Sequence, residues 1–205
     1  MVAGAGKPMA DKDYHHGDLR VALIDAANAM IDKNGAGDFS LRKVSQSLGV
    51  SQSALYRHFS GKDALLAAVA EQGFLDMAAR MERAYQSELE AEARLRSCAE
   101  AYVNFACEHP NLYRLMFGEL LADRQNFPEL AAARSEVFKW PMQCLLQHNR
   151  EQGREDSELR EGDKLLIQSL VHGLSSLMIE NLVTTRLSRE QIIQEVTPLM
   201  VFFRR

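Results

Sequence analysis

Cysteine is scarce in this chain: Cys98, Cys107 and Cys144 are the only three in 205 residues. An odd number without C-x-x-C spacing argues against both a disulfide framework and a zinc site, and buried thiols are the expected role. No apolar run approaches the roughly 20 residues of a membrane span. The opening stretch MVAGAGKPMADKD also lacks the apolar centre of a secretion signal. A cytoplasmic protein without a membrane partner is expected. Catalytic signatures are missing too: there is no H-E-x-x-H, no P-loop, no G-x-S-x-G, and no Gly-rich turn after a strand. His15-His16 and Cys107-Glu108-His109 are the only clusters a metal could use, and each offers too few ligands. No enzymatic activity, cofactor or metal is therefore expected. Alternating strand patterns are absent as well, while 46% hydrophobic content is ample for a packed core, so the chain reads as all-α.

Positive charge is not in excess either, since the net charge is -4. Its distribution matters more than its sum. Residues 1–65 hold eight basic side chains against seven aspartates, whereas the remaining 140 residues hold 16 basic and 21 acidic ones. A nucleic-acid partner would have to be met by basic residues gathered on one face, with the acids turned away.

What is present is concentrated between Phe39 and Leu66, FSLRKVSQSLGVSQSALYRHFSGKDALL. Ser40 is a good N-cap for a helix whose inward face would be Leu41, Val44, Ser45 and Leu48. Gly49 can take the left-handed conformation that ends a helix, and Ser51 can cap a second one. The second helix, Gln52 to Phe59, turns Leu55 inward and Gln52, Ser53 and Tyr56 outward. Two short helices joined in this way form a helix-turn-helix, whose second helix enters the major groove. A first helix from about Asp18 to Lys33 would complete a small core with Phe39 and Phe59 as its large fillers.

The pattern S-L-R-x-V-(small)-x-x-L-G-V-S-x-x-A-L-Y-R-H-F-x-x-K-x-x-L-L resembles the N-terminal signature of the TetR (tetracycline-repressor-like) transcriptional regulators, and the match is good from about Tyr14 to Phe74. Two departures are conservative: Ser45 replaces a usual alanine, and Gly61 replaces the serine that often precedes the lysine. The resemblance implies that Tyr56, His58 and Lys62 contact DNA phosphates and that Arg42, Lys43, Gln52, Ser53 and Ala54 lie at or beside the bases. The chemistry agrees, since Gln52 can make a paired hydrogen bond to adenine's exposed edge while the hydroxyl, imidazole and ammonium set the register.

The expected organisation is a disordered basic arm over 1–13, carrying Lys7 and Lys12, a DNA-binding domain over 14–61, and a helical effector-binding and dimerisation domain over 62–205. Helical patterns run from Lys62 to about Ala91, then near 93–108, 110–122, 128–151, 161–186 and 189–203, with Pro141 and Pro198 expected to kink or end theirs. Ser188 with Gln191 forms a capping-box signature. Leu166, Leu170, Leu174 and Leu177, then Ile192, Val196, Leu199 and Phe203, give the last two helices apolar stripes. Gly173, Ser175 and Ser176 would let a neighbouring helix approach, and together these features point to a homodimer.

Glu108 to Phe117, together with Val171-His172-Gly173-Leu174, is similar to the effector domain of one TetR subgroup, although Gln168 and Ser169 stand where that subgroup carries a tryptophan. Tyr102, Phe105, Tyr113, Met116, Phe117, Phe138, Trp140, Met142 and Met178 are candidates to line an apolar ligand cavity, with His172 and Asn181 as its polar members. Fewer than half are expected to touch a ligand. The expected function is a homodimeric repressor that binds a palindromic double-stranded DNA operator and is released by a small apolar or aromatic effector. An adaptor of the same fold answering to a protein partner is the alternative.

Overall fold

In the computed structural model of the chain, the described residues are 16–87, 90–121, 127–153 and 161–196. They form ten α-helices and one short 3₁₀ turn, with no strand among them. The basic arm with Lys7 and Lys12, and Pro198, Leu199 and Phe203 of the last stripe, lie outside the described residues.

The first three helices are α1 (His16–Asn34), α2 (Leu41–Ser47) and α3 (Gln52–Tyr56). Their ends are set locally, as the sequence requires. Ser40 Oγ accepts from the Lys43 amide at 3.2 Å, and Ser51 Oγ accepts from the Ala54 amide at 3.1 Å, so each side chain satisfies a donor the helix itself leaves free. Gly49, between them, has φ +68, a conformation that strains any residue with a Cβ. Leu23, Ile24, Ala27, Ile31, Phe39, Val44, Leu55 and Phe59 are buried between these helices and the start of α4 (Lys62–Ser87). Leu41 and Leu48 are only half-buried at its margin.

Helix α4 connects this unit to the rest. Leu65 to Ala70 are buried without a break, so its first turns are enclosed on all sides. It packs on α1 and then on α5 (Ala91–Glu108), α6 (Pro110–Phe117), α7 (Pro128–Glu136) and α8 (Lys139–Glu151). At Gly73 a Cβ would stand 2.8 Å from Met116 Sδ, so the missing side chain is what lets α4 and α6 approach. One contiguous core runs from Leu23 to Val171. The chain closes with α9 (Glu161–Ile179) and α10 (Arg189–Val196).

Several boundaries differ from the sequence expectations, for identifiable reasons. Helix α4 stops at Ser87, and Glu90 is extended (φ -82, ψ 138) before α5 begins. The expected helix over 128–151 is two helices separated at Val137 and Phe138. A proline ring clashes with the carbonyl four residues earlier, which for Pro141 is that of Val137. Restarting the helix at Lys139 places Pro141 in a first turn, where it is tolerated. Helix α6 ends at Phe117 and a 3₁₀ turn, Glu119–Leu121, follows. Helix α9 ends at Ile179, not near residue 186, because Asn181 adopts φ 53 and the Leu182 amide reaches back to the Leu177 carbonyl at 2.9 Å. The capping box at Ser188 is present: its amide donates to Gln191 Oε1 at 2.8 Å and its Oγ accepts from the Gln191 amide at 3.3 Å.

The apolar stripe of α9 divides between two faces. Leu166 and Leu177 of the expected stripe are 38% and 46% exposed and Leu170 and Leu174 are half-buried, with Leu165 beside them 64% exposed, whereas Val171 and Ser175 are buried inside the subunit. Ser175 therefore faces inward and does not ease a helix–helix approach outside. Ile192 is likewise buried against the subunit's own body, not displayed.

Candidate functional site

The residues expected at DNA lie on α2, on and just after α3, and at the start of α4. Gln52 and Ser53 are exposed on the first turn of α3, and Tyr56 is 54% exposed one turn on. Beneath them Leu55 is fully buried, which fixes the rotation of the helix about its axis. Ser53 Oγ lies 2.9 Å from Ser51 Oγ, so the capping network holds the leading edge of the helix. Ala54 is half-buried behind that edge, and His58 is half-buried just beyond the last turn. Arg42 and Lys43 are exposed on α2, with Lys43 Nζ donating to the Asp38 carbonyl at 3.2 Å. Lys62 opens α4, its ammonium 5.8 Å from the centre of the Phe39 ring. The first turn of a short helix thus presents an amide and a hydroxyl, with cations and a phenol at its flanks. That arrangement suits base edges at the centre and phosphates at the rim.

In the body, five of the eleven expected cavity residues come together. Tyr102, Tyr113, Phe117, Phe138 and His172 form one cluster with Phe74. Tyr113 and Phe117 have ring centroids 4.6 Å apart, and Phe117 and His172 4.8 Å. The buried hydroxyls are satisfied in a chain, with Tyr102 Oη 3.1 Å from Tyr113 Oη, which is 2.6 Å from His172 Nδ1. Burial and the nearby Arg134 charge hold the His172 imidazole below its ordinary range. The neutral ring leaves a nitrogen free to accept, so the direction Tyr102 to Tyr113 to His172 satisfies each group. Burial pushes both phenols up. These rings are in contact with one another.

The other candidates lie elsewhere. Phe105 packs under the α5–α6 corner, against His109 and Arg80. Met116 sits against Gly73. Trp140 lies on Tyr85, centroids 4.8 Å apart, and Met142 is half-buried on the same helix as Trp140. Cys98 and Cys144 are buried side by side, the Cys98 thiol pushed up by its hydrogen bond with Cys144 and by burial. Cys107 is half-buried.

A cavity of about 390 Å³ opens beside the aromatic cluster, lined by Cys107, Pro110, Met178, Ile179, Val183 and Ile192, with Asn181 and Arg189 as its polar members. Met178 and Asn181 alone of the expected ligand residues reach it. Nothing in the sequence pattern marks the others, because Pro110, Val183 and Arg189 belong to different elements and meet only through the end of α9.

Sequence reasoning also missed the junction between the first helix and the body. His109 Nδ1 lies 2.9 Å from Asp32 Oδ2, and Asn111 Nδ2 donates to the Asp32 carbonyl at 2.9 Å. Arg80 donates to Glu108 Oε2 at 2.5 Å and stands 3.3 Å from His109 Nε2. The end of α1 is thereby tied to the α5–α6 corner.

An all-helical body carrying a capped helix-turn-helix with its polar edge displayed defines a DNA-binding regulator. The chain belongs to the TetR family: residues 23–69 match the bacterial regulatory proteins of the tetR family, and residues 95–197 match the tetracyclin repressor-like C-terminal domain. It is 27% identical over 178 residues to the nucleoid occlusion factor SlmA of Sodalis glossinidius, covering 86% of this chain and 89% of that one. A protein of unknown function from Rhodococcus sp. RHA1 has a similar structure, with TM-score 0.78 and 28% identity over 93% of this chain and 97% of that one. The TetR family transcriptional regulator PfmR of Thermus thermophilus shares the fold, with TM-score 0.64 and 19% identity over 88% of this chain and 97% of that one. The matched family models and PfmR carry regulatory names, and no helix among the described residues is long and apolar enough to cross a membrane.

Proposed function

We propose that the protein is a homodimeric repressor, working in the cytoplasm, that binds a palindromic operator and is released by a small ligand with an apolar or aromatic body. The exposed first turn of α3, with Gln52 and Ser53 displayed over a buried Leu55, carries this reading. Residues 14–61 act as the reading domain and 62–205 as the effector and dimerisation domain, with a basic arm over 1–13 ahead of them. Gln52, Ser53, Ala54, Arg42 and Lys43 meet the bases, and Tyr56, His58 and Lys62 meet the phosphates. The outward part of the α9 stripe, Leu165, Leu166 and Leu177, supports pairing through the last two helices. Two reading helices would then address successive major grooves roughly 34 to 36 Å apart. A ligand in the body that shifts α4 changes this spacing, and such coupling amounts to about 1 to 3 kcal/mol.

The test is selection of DNA from a random pool by the full chain, followed by sedimentation of the complex. An inverted repeat bound by two chains is expected. Recovered sequences without a repeat, bound with no sequence preference, would overturn the operator reading. The similarity to a nucleoid occlusion factor over most of both chains supports a second reading, a DNA-bound adaptor controlled by a protein partner. An effector that acts on the purified dimer without any other protein decides between them.

A further inference from the structure

The cavity beside the α5–α6 corner combines features that a purely apolar ligand would not use. Its walls are hydrocarbon from Pro110, Met178, Ile179, Val183 and Ile192, and its volume of about 390 Å³ lies in the range of small-molecule sites. Arg189 and Asn181 complete the lining and bring a cation and an amide to it. Arg189 is half-exposed and meets its neighbour Glu190 at 3.5 Å, a long contact between solvated groups that a better-placed carboxylate can displace. Its charge reaches the cavity wall: burial pushes the Cys107 thiol up, and Arg189 draws it part of the way back. A guanidinium beside an apolar slot selects a ligand with a carboxylate head and a hydrocarbon body, since its planar donors pair with both carboxylate oxygens.

The cavity also borders the contacts that join α6 to the end of α1. Pro110 lines the cavity at the first position of α6, and its neighbours His109 and Asn111 hold Asp32. On its other side α6 is tied to the end of α9, where Arg114 donates to Glu180 Oε1 at 2.7 Å and to the Ile179 carbonyl at 3.3 Å. A molecule held between Pro110 and Ile179 touches α6 and the end of α9 at once, so it can bias how the corner sits against α1.

We infer that this cavity is the effector site, that its ligand is a small amphipathic carboxylate held by Arg189 and Asn181, and that occupancy reaches the DNA-reading helices through the contacts of His109 and Asn111 with Asp32. The inference rests on the repressor reading above, and its test separates the two. Decanoate and decanol are titrated calorimetrically into the full-length protein. Decanoate should bind at least about tenfold tighter than decanol, the size expected of one charge-assisted contact. Arg189→Gln should erase that preference while leaving decanol binding and the melting temperature unchanged. Val183→Trp should abolish binding of both by filling the space. Equal binding of decanoate and decanol to the wild type, or an unchanged preference in Arg189→Gln, would overturn the site. Coupling is read on the selected DNA: decanoate should weaken binding of the wild type, and Asp32→Ala combined with Asn111→Ala, which removes the side-chain contact of His109 and the bond to the Asp32 carbonyl together, should bind decanoate normally yet release DNA several-fold less. Full release by the double variant would overturn the route. Failure of the ligand-free protein to prefer any DNA would count against the repressor reading alone, because the calorimetric arms need no DNA.

Discussion

The three N-terminal helices and the body reach well-packed cores by different means. In the first region both ends of α2 and the start of α3 are set by residues within three positions of them, Ser40, Gly49 and Ser51, and Gln52, Ser53 and Tyr56 stand outward on that scaffold. In the body, the decisive contacts join residues far apart in the chain: Tyr113 with His172, His109 with Asp32, Arg114 with Glu180. Short-range capping makes a rigid surface that can be copied onto any TetR body. Long-range polar contacts join distant helices, and at the buried Tyr113 the loss of its partner would leave a hydroxyl unsatisfied.

The largest test of that contrast removes assembly and leaves both regions folded. Leu166→Glu with Leu177→Glu should give monomers by sedimentation and lose operator affinity, since an unpaired carboxylate buried at a subunit contact costs about 3 to 5 kcal/mol. An intact dimer would show that the exposed part of the α9 stripe has another role. Next, Gln52→Ala should weaken binding by about 1 to 3 kcal/mol and relax preference at one or two positions in each half-site. Lys62→Ala should instead weaken binding to all sequences alike and reduce the salt slope by about 0.9. Equal loss of preference in the two variants would dissolve the division between base and phosphate contacts.

A smaller effect is expected from Ser51→Ala, about 1 kcal/mol from the lost cap. Because α3 has only five residues, DNA affinity should fall more than the global melting free energy does. Proportional losses in the two measurements would mean that the cap acts on the whole fold. The smallest concerns His172. Its imidazole is held below the ordinary 6.5, so the unfolded chain takes up the proton more readily. The stability of the body is therefore complete above about 6.5 and declines as the pH falls through that value toward the lower folded one. His172→Gln should flatten the melting temperature between about pH 7 and 5 relative to the wild type.

Much of the first region was legible because its determinants are neighbours in sequence. Ser40, Gly49, Ser51 and the inward Leu55 carry their conformations with them, and Gln52, Ser53 and Tyr56 follow by helical geometry. The body was legible as helices but not as a site. Periodicity marks Tyr102, Tyr113, Phe117, Phe138 and His172 as inward, yet it cannot say whether inward side chains leave a cavity or fill it with one another. Here the rings touch one another, and among the described residues an open space lies where Pro110, Ile179, Val183 and Arg189 converge.

The sequence by itself determined the all-helical class, the reading helix and its exposed edge, because caps, turns and amphipathic spacing act over a few residues. Only the tertiary structure decided that Pro141 falls in a first turn, that Ser175 and Ile192 face inward, and that Asp32 meets His109 and Asn111. Those outcomes depend on how whole helices pack, and packing is a property of surfaces brought together from distant parts of the chain.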